Sequence, residues 1–318
     1  MDALTDGFSQ LQLWLFEAVV QPLMFSLDLG NRLEDGFAGT GWLLVGCLQL
    51  LVMLLVIAPL QKWRPVEPVT DRAAVRVDVL YTLIHRLGLF QIALFFTLEP
   101  LFDALFSPLR AAGIATFHLD GLWPGVTDLP WVSFLLYLVV FDFLQYAIHR
   151  GQHQFTWWWS LHSLHHSQRQ MSMWTDNRNH LLDDVIRSAI VAVVAQGIGI
   201  APGQFVAVVA FMQLCENFQH ANVRVWFGPI GERLLVSPRF HRVHHSIGIG
   251  HESAGKHTLG GHNFGVLFPW WDMLLGTASF ELKFEATGVR DQVEEGVDYG
   301  RGFWSQQWLG LKRLAGRR

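Results

Sequence analysis

Eight histidines stand in three tight groups: His149 and His153, then His162, His165 and His166, then His241, His244 and His245. On a helix, positions i, i+3 and i+4 share one face, so each group presents its imidazoles in one direction. That is what a multidentate metal site needs. Neutral imidazole suits iron, zinc and copper. The two cysteines, Cys47 and Cys215, lie in apolar stretches without a CxxC pair, so they suggest neither a zinc finger nor a disulfide framework. Eight ligands are too many for one ion and suit two. A lone HxxxH is often a surface pair, and one HxxHH could arise by chance among 15 histidines. Three such groups, each on the cytoplasmic side of predicted spans, are not explained that way.

The surrounding chain is apolar. Of its 318 residues, 51% are hydrophobic and 16% charged, against roughly 25% charged in soluble domains. Disorder is excluded, and an ordinary soluble globule is disfavoured. A net charge of −4 leaves no basic footprint for nucleic acid. No charged residue stands between Asp35 and Lys62, and Trp42–Ala58 is nearly all apolar; that run is long enough to cross a hydrocarbon core of about 30 Å. Further spans are predicted over Val79–Leu98, which contains His85 and Arg86, and over Leu129–Ile148, which contains Asp142. Phe8–Leu29, with Glu17 inside it, reads as an interfacial helix. Asp2 and Asp6 argue against a cleavable signal peptide.

Lys62, Arg64, Arg72 and Arg76 crowd the connection 61–77, while 1–41 has only Arg32 and 102–130 only Arg110. Positive-inside logic places 61–77 and everything from His149 onward in the cytoplasm. The uncharged run Ser188–Cys215 is interrupted by Gly197, Gly199, Pro202 and Gly203. The outer histidine groups must share one side, so it is expected to form a helical hairpin of two pieces, each about a dozen residues or about 18 Å. The fold class expected is therefore an all-α integral membrane protein. It has about three spanning helices, a short re-entrant or interfacial hairpin, and a cytoplasmic helical cap carrying the histidines. The expected division is 1–148 for interfacial and transmembrane helices, 149–280 for the metal region including hairpin 185–218, and 281–318 for a C-terminal tail.

The order of motifs resembles the membrane fatty acid hydroxylase / sterol desaturase superfamily. The likeness covers about residues 135–280: Asp142…His149-Arg150…His153, His162…His165-His166, Phe218-Gln219-His220-Ala221-Asn222-Val223, His241-Arg242-Val243-His244-His245, His262-Asn263-Phe264-Gly265, and Trp271-Asp272-Met273-Leu274-Leu275-Gly276-Thr277. It implies two iron ions, open to replacement by zinc on purification, held by His149, His153, His162, His165, His166, His220, His241, His244 and His245. His180 is a further candidate, from a segment resembling Arg-x-His-Pro-x-Glu that lacks the Pro and the Glu. Glu216, on the helical face of His220, is a candidate ligand or acceptor. Asp142 is expected to accept a ligand imidazole N–H, which would explain a charge at membrane depth. Asn263 and His262 are expected behind the ligands or along the substrate wall. The Trp157–Trp159 run reads as an interfacial belt. His118, His251 and His257 read as surface positions, and His85 and Arg86 either snorkel or line a lipid tunnel.

The function implied is O2-dependent hydroxylation or desaturation of a sterol-like, acyl or sphingoid lipid drawn from the bilayer. The chain shows no cytochrome b5 signature, nucleotide loop or CxxC cluster. Electrons are therefore expected from a separate ferredoxin or cytochrome b5 type donor with its reductase. A di-zinc membrane hydrolase would need carboxylates among its ligands, and these motifs offer almost none. A non-enzymatic heme or metal transporter would bury its ligands within several spans at the midplane.

Overall fold

The computed structural model describes residues 2–112, 117–247 and 261–317. The described residues are helical, with one isolated bridge between Ser246 and Thr287. Helix α1 (Asp2–Leu15) continues through a wider turn at Phe16–Val20 into Gln21–Ser26. Helix α2 (Gly30–Trp63) has 34 residues, or about 51 Å at 1.5 Å each. Its outward face carries Leu48, Leu51, Leu54, Leu55 and Val56, all exposed, while Met53 and Ile57 are buried. That contrast suits a helix with lipid on one side and protein on the other.

The expected span Val79–Leu98 is not one helix. Helix α3 (Arg72–Arg86) ends at Leu87, and Gly88, at φ +78, starts a new direction into α4 (Leu89–Thr97), followed by α5 (Glu99–Ala111). The reason is polar. Asp78, Thr82 and Arg86 are buried on α3, so that helix packs against protein, and Gly88 takes a left-handed conformation that favours glycine. Gly46 of α2 permits close packing here: a Cβ on it would collide with the carbonyl oxygen of Arg86.

Helix α6 (Pro130–Gln154) covers the span expected over Leu129–Ile148 and runs on through His149 and His153. The expected boundary at 148–149 therefore falls inside a helix. With α2 it is one of two described helices long and apolar enough to cross a membrane. Helix α7 (Thr156–His166) follows at once. The expected hairpin is present as α8 (Leu181–Ile198) and α9 (Pro202–Gln219), but each arm has 18 residues, or about 27 Å, not a dozen. The chain turns at Gly199, φ +66, and Pro202 opens α9, where its missing N–H is not needed.

Tyr137, Leu138 and Phe141 of α6 pack with Val208 and Met212 of α9 and with Val266 and Leu267. This core holds the hairpin against α6. Helix α10 (Pro238–His244) carries the third histidine group. The C-terminal stretch contains α11 (Phe303–Leu314), which buries Gln306, Gln307 and Gly310.

Candidate metal centre

Four elements converge. His149 and His153 sit one turn apart on α6, and His162, His165 and His166 end α7. His220 caps α9, while α10 brings His241, His244 and His245. All nine are buried, and they divide into groups whose candidate ligand atoms lie within 4.8 Å of one another. One contains His149, His153, His162 and His166; another contains His165, His220, His241 and His245; His244 joins His166 and His245. The hairpin makes this possible, because α8 leaves the cluster at Asp183 and α9 returns to it at His220.

The Nε2 atoms face each other. His153 and His166 are 3.0 Å apart, His166 and His244 3.1 Å, His165 and His220 3.1 Å, His220 and His241 2.9 Å, and His241 and His245 3.1 Å. Several of these nitrogens must be lone pairs. His149 donates its Nδ1–H to the Phe264 carbonyl at 3.0 Å, His220 to the Glu216 carbonyl at 2.8 Å, and His244 to the His262 carbonyl at 2.7 Å. His162 places Nδ1 3.2 Å from the Asp183 carboxylate. Each ring then aims a bare Nε2 inward. The Nε2 atoms of His149 and His162 have no hydrogen-bond partner among the described residues. Hydrogen bonds alone do not satisfy such a set, whereas ions do: two nitrogens at right angles around one ion, each about 2.1 Å away, lie about 3.0 Å apart. The donor set fits a pair of imidazole-bound metal ions.

Burial also prepares the charge state. It pushes His165, His166, His241 and His245 well below the ordinary histidine range, and His244 down to about 3; neighbouring imidazoles add to the effect in all five, while the hydrogen bond to the His262 carbonyl opposes it at His244. The rings are neutral near pH 7, which is the ligating form.

The remaining expected residues fall into place differently. Asp142 touches no imidazole: it accepts from the backbone N–H of Leu267 at 2.7 Å and of Phe268 at 3.2 Å, and from the Trp271 indole at 2.8 Å. Its buried carboxyl group anchors the loop after Asn263-Phe264-Gly265. Asn263, at φ +60, donates to the carbonyls of Phe240 and Ser279, both at 3.0 Å, tying that loop to α10. His262 contributes its carbonyl to His244 rather than its ring.

His180 is no part of the cluster. It caps α8, accepting from Leu182 N, and donates Nε2–H to the Gln307 carbonyl at 2.9 Å. Glu216 touches His220 through its backbone, while its side chain faces a cavity of about 30 Å3. His149 and His162 of one group, His165 and His220 of the other, and Arg187 also border that space. It has room for one or two waters, not for a lipid chain.

Of the tryptophan run only Trp157 is exposed. Trp158 is buried and donates to Asp183 at 2.6 Å, and Trp159 leans on His153 with ring centroids 4.9 Å apart. His118 is exposed against the Gly199 carbonyl, and His85 faces Asp184 at 3.1 Å. His251 and His257 lie outside the described residues. Sequence reading missed Asp183. Its signal was present, because it stands where the Arg-x-His-Pro-x-Glu pattern ends in a carboxylate, one methylene shorter.

Residues 134–277 match the model of the fatty acid hydroxylase family. This region is similar to the fatty acid hydroxylase family. It holds every histidine of the cluster. Among curated relatives, the chain is 27% identical over 200 residues to the ornithine lipid hydroxylase of Rhizobium tropici, covering 63% of this chain and 56% of that protein. It is 28% identical over 206 residues to the alkylglycerol monooxygenase of Caenorhabditis elegans, covering 63% and 37%. It is 28% identical over 180 residues to a very-long-chain aldehyde decarbonylase of Oryza sativa, covering 52% and 27%. The matches thus span about half or less of these relatives. No solved structure matches the chain significantly.

Proposed function

We propose that this protein is a membrane-bound di-iron oxygenase that hydroxylates or desaturates a C–H bond of a lipid, using O2 and electrons from a separate donor. One observation carries the reading: two groups of four histidines, drawn from α6, α7, α9 and α10, converge in a single buried site beside lipid-length apolar helices. Relatives named as a lipid hydroxylase and a monooxygenase support the same reaction class.

In this reading His149, His153, His162 and His166 hold one ion, and His165, His220, His241 and His245 the other, with His244 at their junction. Iron bound there supplies the O2 activation that an unactivated C–H bond requires, chemistry beyond any side chain. The chain's own residues orient and exclude. Phe264, Glu216 and His262 fix three rings through backbone carbonyls. Phe264 itself, fully buried, packs against His149, His153 and His244 and keeps water from that side. The small polar cavity at Glu216 and Arg187 suits dioxygen or water, so the lipid chain reaches the cluster from another side.

The substrate is a sterol-like, acyl or sphingoid lipid from the bilayer, and the histidines lie at the cytoplasmic face of a multi-pass protein. The di-zinc hydrolase is disfavoured because neither histidine group contains a carboxylate. The test is metal analysis of the purified protein with an oxygen electrode. About two irons per chain and O2 uptake on reduction support the proposal; zinc-dependent ester or amide hydrolysis without O2 uptake rejects it.

A further inference from the structure

The segment 175–184 sets one carboxylate beside each histidine group. Asp183, in the first turn of α8, places Oδ2 3.2 Å from Nδ1 of His162. Asp176, in the short turn Thr175–Asn177, places Oδ1 3.6 Å from Nδ1 of His220. Each carboxylate is itself held. Asp183 accepts from the Gln152 amide at 2.8 Å and the Trp158 indole at 2.6 Å. Asp176 accepts from the Asn217 amide at 3.0 Å and lies 3.4 Å from the Arg86 guanidinium. Asp184, next in sequence to Asp183, faces His85 instead.

The charge balance gives this pairing a purpose. Neutral imidazoles contribute no charge, so two divalent ions would leave four positive charges in a buried site. Buried charge is costly unless opposed nearby. A carboxylate behind a ligand imidazole opposes it, fixes the ring and makes the inward nitrogen a better donor. Asp183 does this through direct contact with His162. His220 already donates to the Glu216 carbonyl, so Asp176 acts on it through its charge.

We infer that Asp183 and Asp176 are positioning residues that divide the centre between them: Asp183 supports the ion held with His162, and Asp176 the ion held with His220. The inference rests on the two-ion reading and adds that the two sites are backed separately.

Cobalt(II) titrated into the metal-free full-length protein in detergent tests it, followed by visible absorption and metal analysis. The unsubstituted protein takes up two ions. Asp183→Asn weakens one site by roughly 10–100-fold and spares the other, and Asp176→Asn does the same with the roles reversed. Asp184→Asn leaves both sites unchanged. The Asp183→Glu and Asp176→Glu proteins, which keep the charge, hold cobalt more tightly than the Asn variants. Assignment to particular ions comes from a His162→Ala background: there Asp183→Asn costs the surviving site nothing, while Asp176→Asn weakens it. Two-ion uptake with unchanged affinity in both Asn variants overturns the inference while leaving the metal reading intact. Failure of the unsubstituted protein to bind cobalt or iron would instead reject the metal reading.

Discussion

His149 on α6 and Phe264, 115 residues further on, are joined by a 3.0 Å hydrogen bond from the imidazole Nδ1–H to the backbone carbonyl. The loop after the third histidine group thus sets the ring of the first. That loop is held by Asp272, which accepts from Phe264 N at 2.9 Å, Gly265 N at 2.7 Å and the Thr277 hydroxyl at 2.6 Å. A Cβ at Gly265 would lie 2.8 Å from the same carboxylate, so the approach requires glycine.

Asp272→Ala strands two buried N–H groups. We expect a loss of stability of roughly 2–4 kcal/mol, together with weaker metal binding at the His149 group, although Asp272 touches no histidine. Thermal unfolding in detergent and metal content report the two effects. Wild-type metal affinity in a destabilised Asp272→Ala protein would show that the loop does not orient His149.

Alanine at His149, His165, His244 or His245 removes an inward nitrogen and should lower bound metal and abolish oxygen uptake. His180→Ala should behave differently. It removes a helix cap and a contact to α11, so stability falls by roughly 1 kcal/mol while metal content holds. His118→Ala should leave metal content unchanged. A His180→Ala protein that folds normally but loses metal would return His180 to the ligand set.

What the sequence made legible was what local spacing encodes. The three histidine groups, the long apolar helix expected over Leu129–Ile148 and the hairpin broken near Gly199 all depend on neighbours within a few turns. The misread positions depend on distant partners. Asp142 looked like a partner for His149 because it lies two turns before it on the same helix, but its acceptors are filled by the loop 267–271. The span expected over Val79–Leu98 has suitable length, yet Asp78 and Arg86 find buried partners in Arg178, Asp176 and Asn217. Trp158 and Trp159 are turned inward by Asp183 and the imidazoles, which no count of aromatic residues reveals.

Acid should open the centre. The folded, metal-free protein keeps His165, His166, His241, His244 and His245 neutral well below 6.5, whereas the unfolded chain protonates them near that value. Between those limits the unfolded state binds more protons, so stability rises with pH and is lost on acidification. The loss begins below about pH 6.5 and continues toward the value of about 3 set for His244. Bound metal shifts the onset lower, because protons and metal compete for the same nitrogens. Melting temperatures of metal-free and loaded protein between pH 7.5 and about 4.5 provide the check; a flat profile for the metal-free form would contradict the buried neutral cluster.

Topology follows from the same convergence. His162 and His166 precede the hairpin, and His220 and His241 follow it, yet Nε2 of His166 lies 3.1 Å from that of His244. Whichever side of the membrane holds α7 must also hold α10. Arms of 18 residues, about 27 Å each, reach far into a hydrocarbon core of about 30 Å and return. The turn at Gly199–Ala201 then needs its free backbone groups covered by protein or by the far interface. The Gly199 carbonyl already meets the His118 ring at 3.1 Å. Reporters inserted after Asp184 and after Asn222 should therefore both read the cytoplasm, the side that carries Lys62, Arg64, Arg72 and Arg76. If the second reads the outer face, α8 and α9 form a single crossing, the histidine groups stand on opposite sides of the bilayer, and the shared metal centre fails with them.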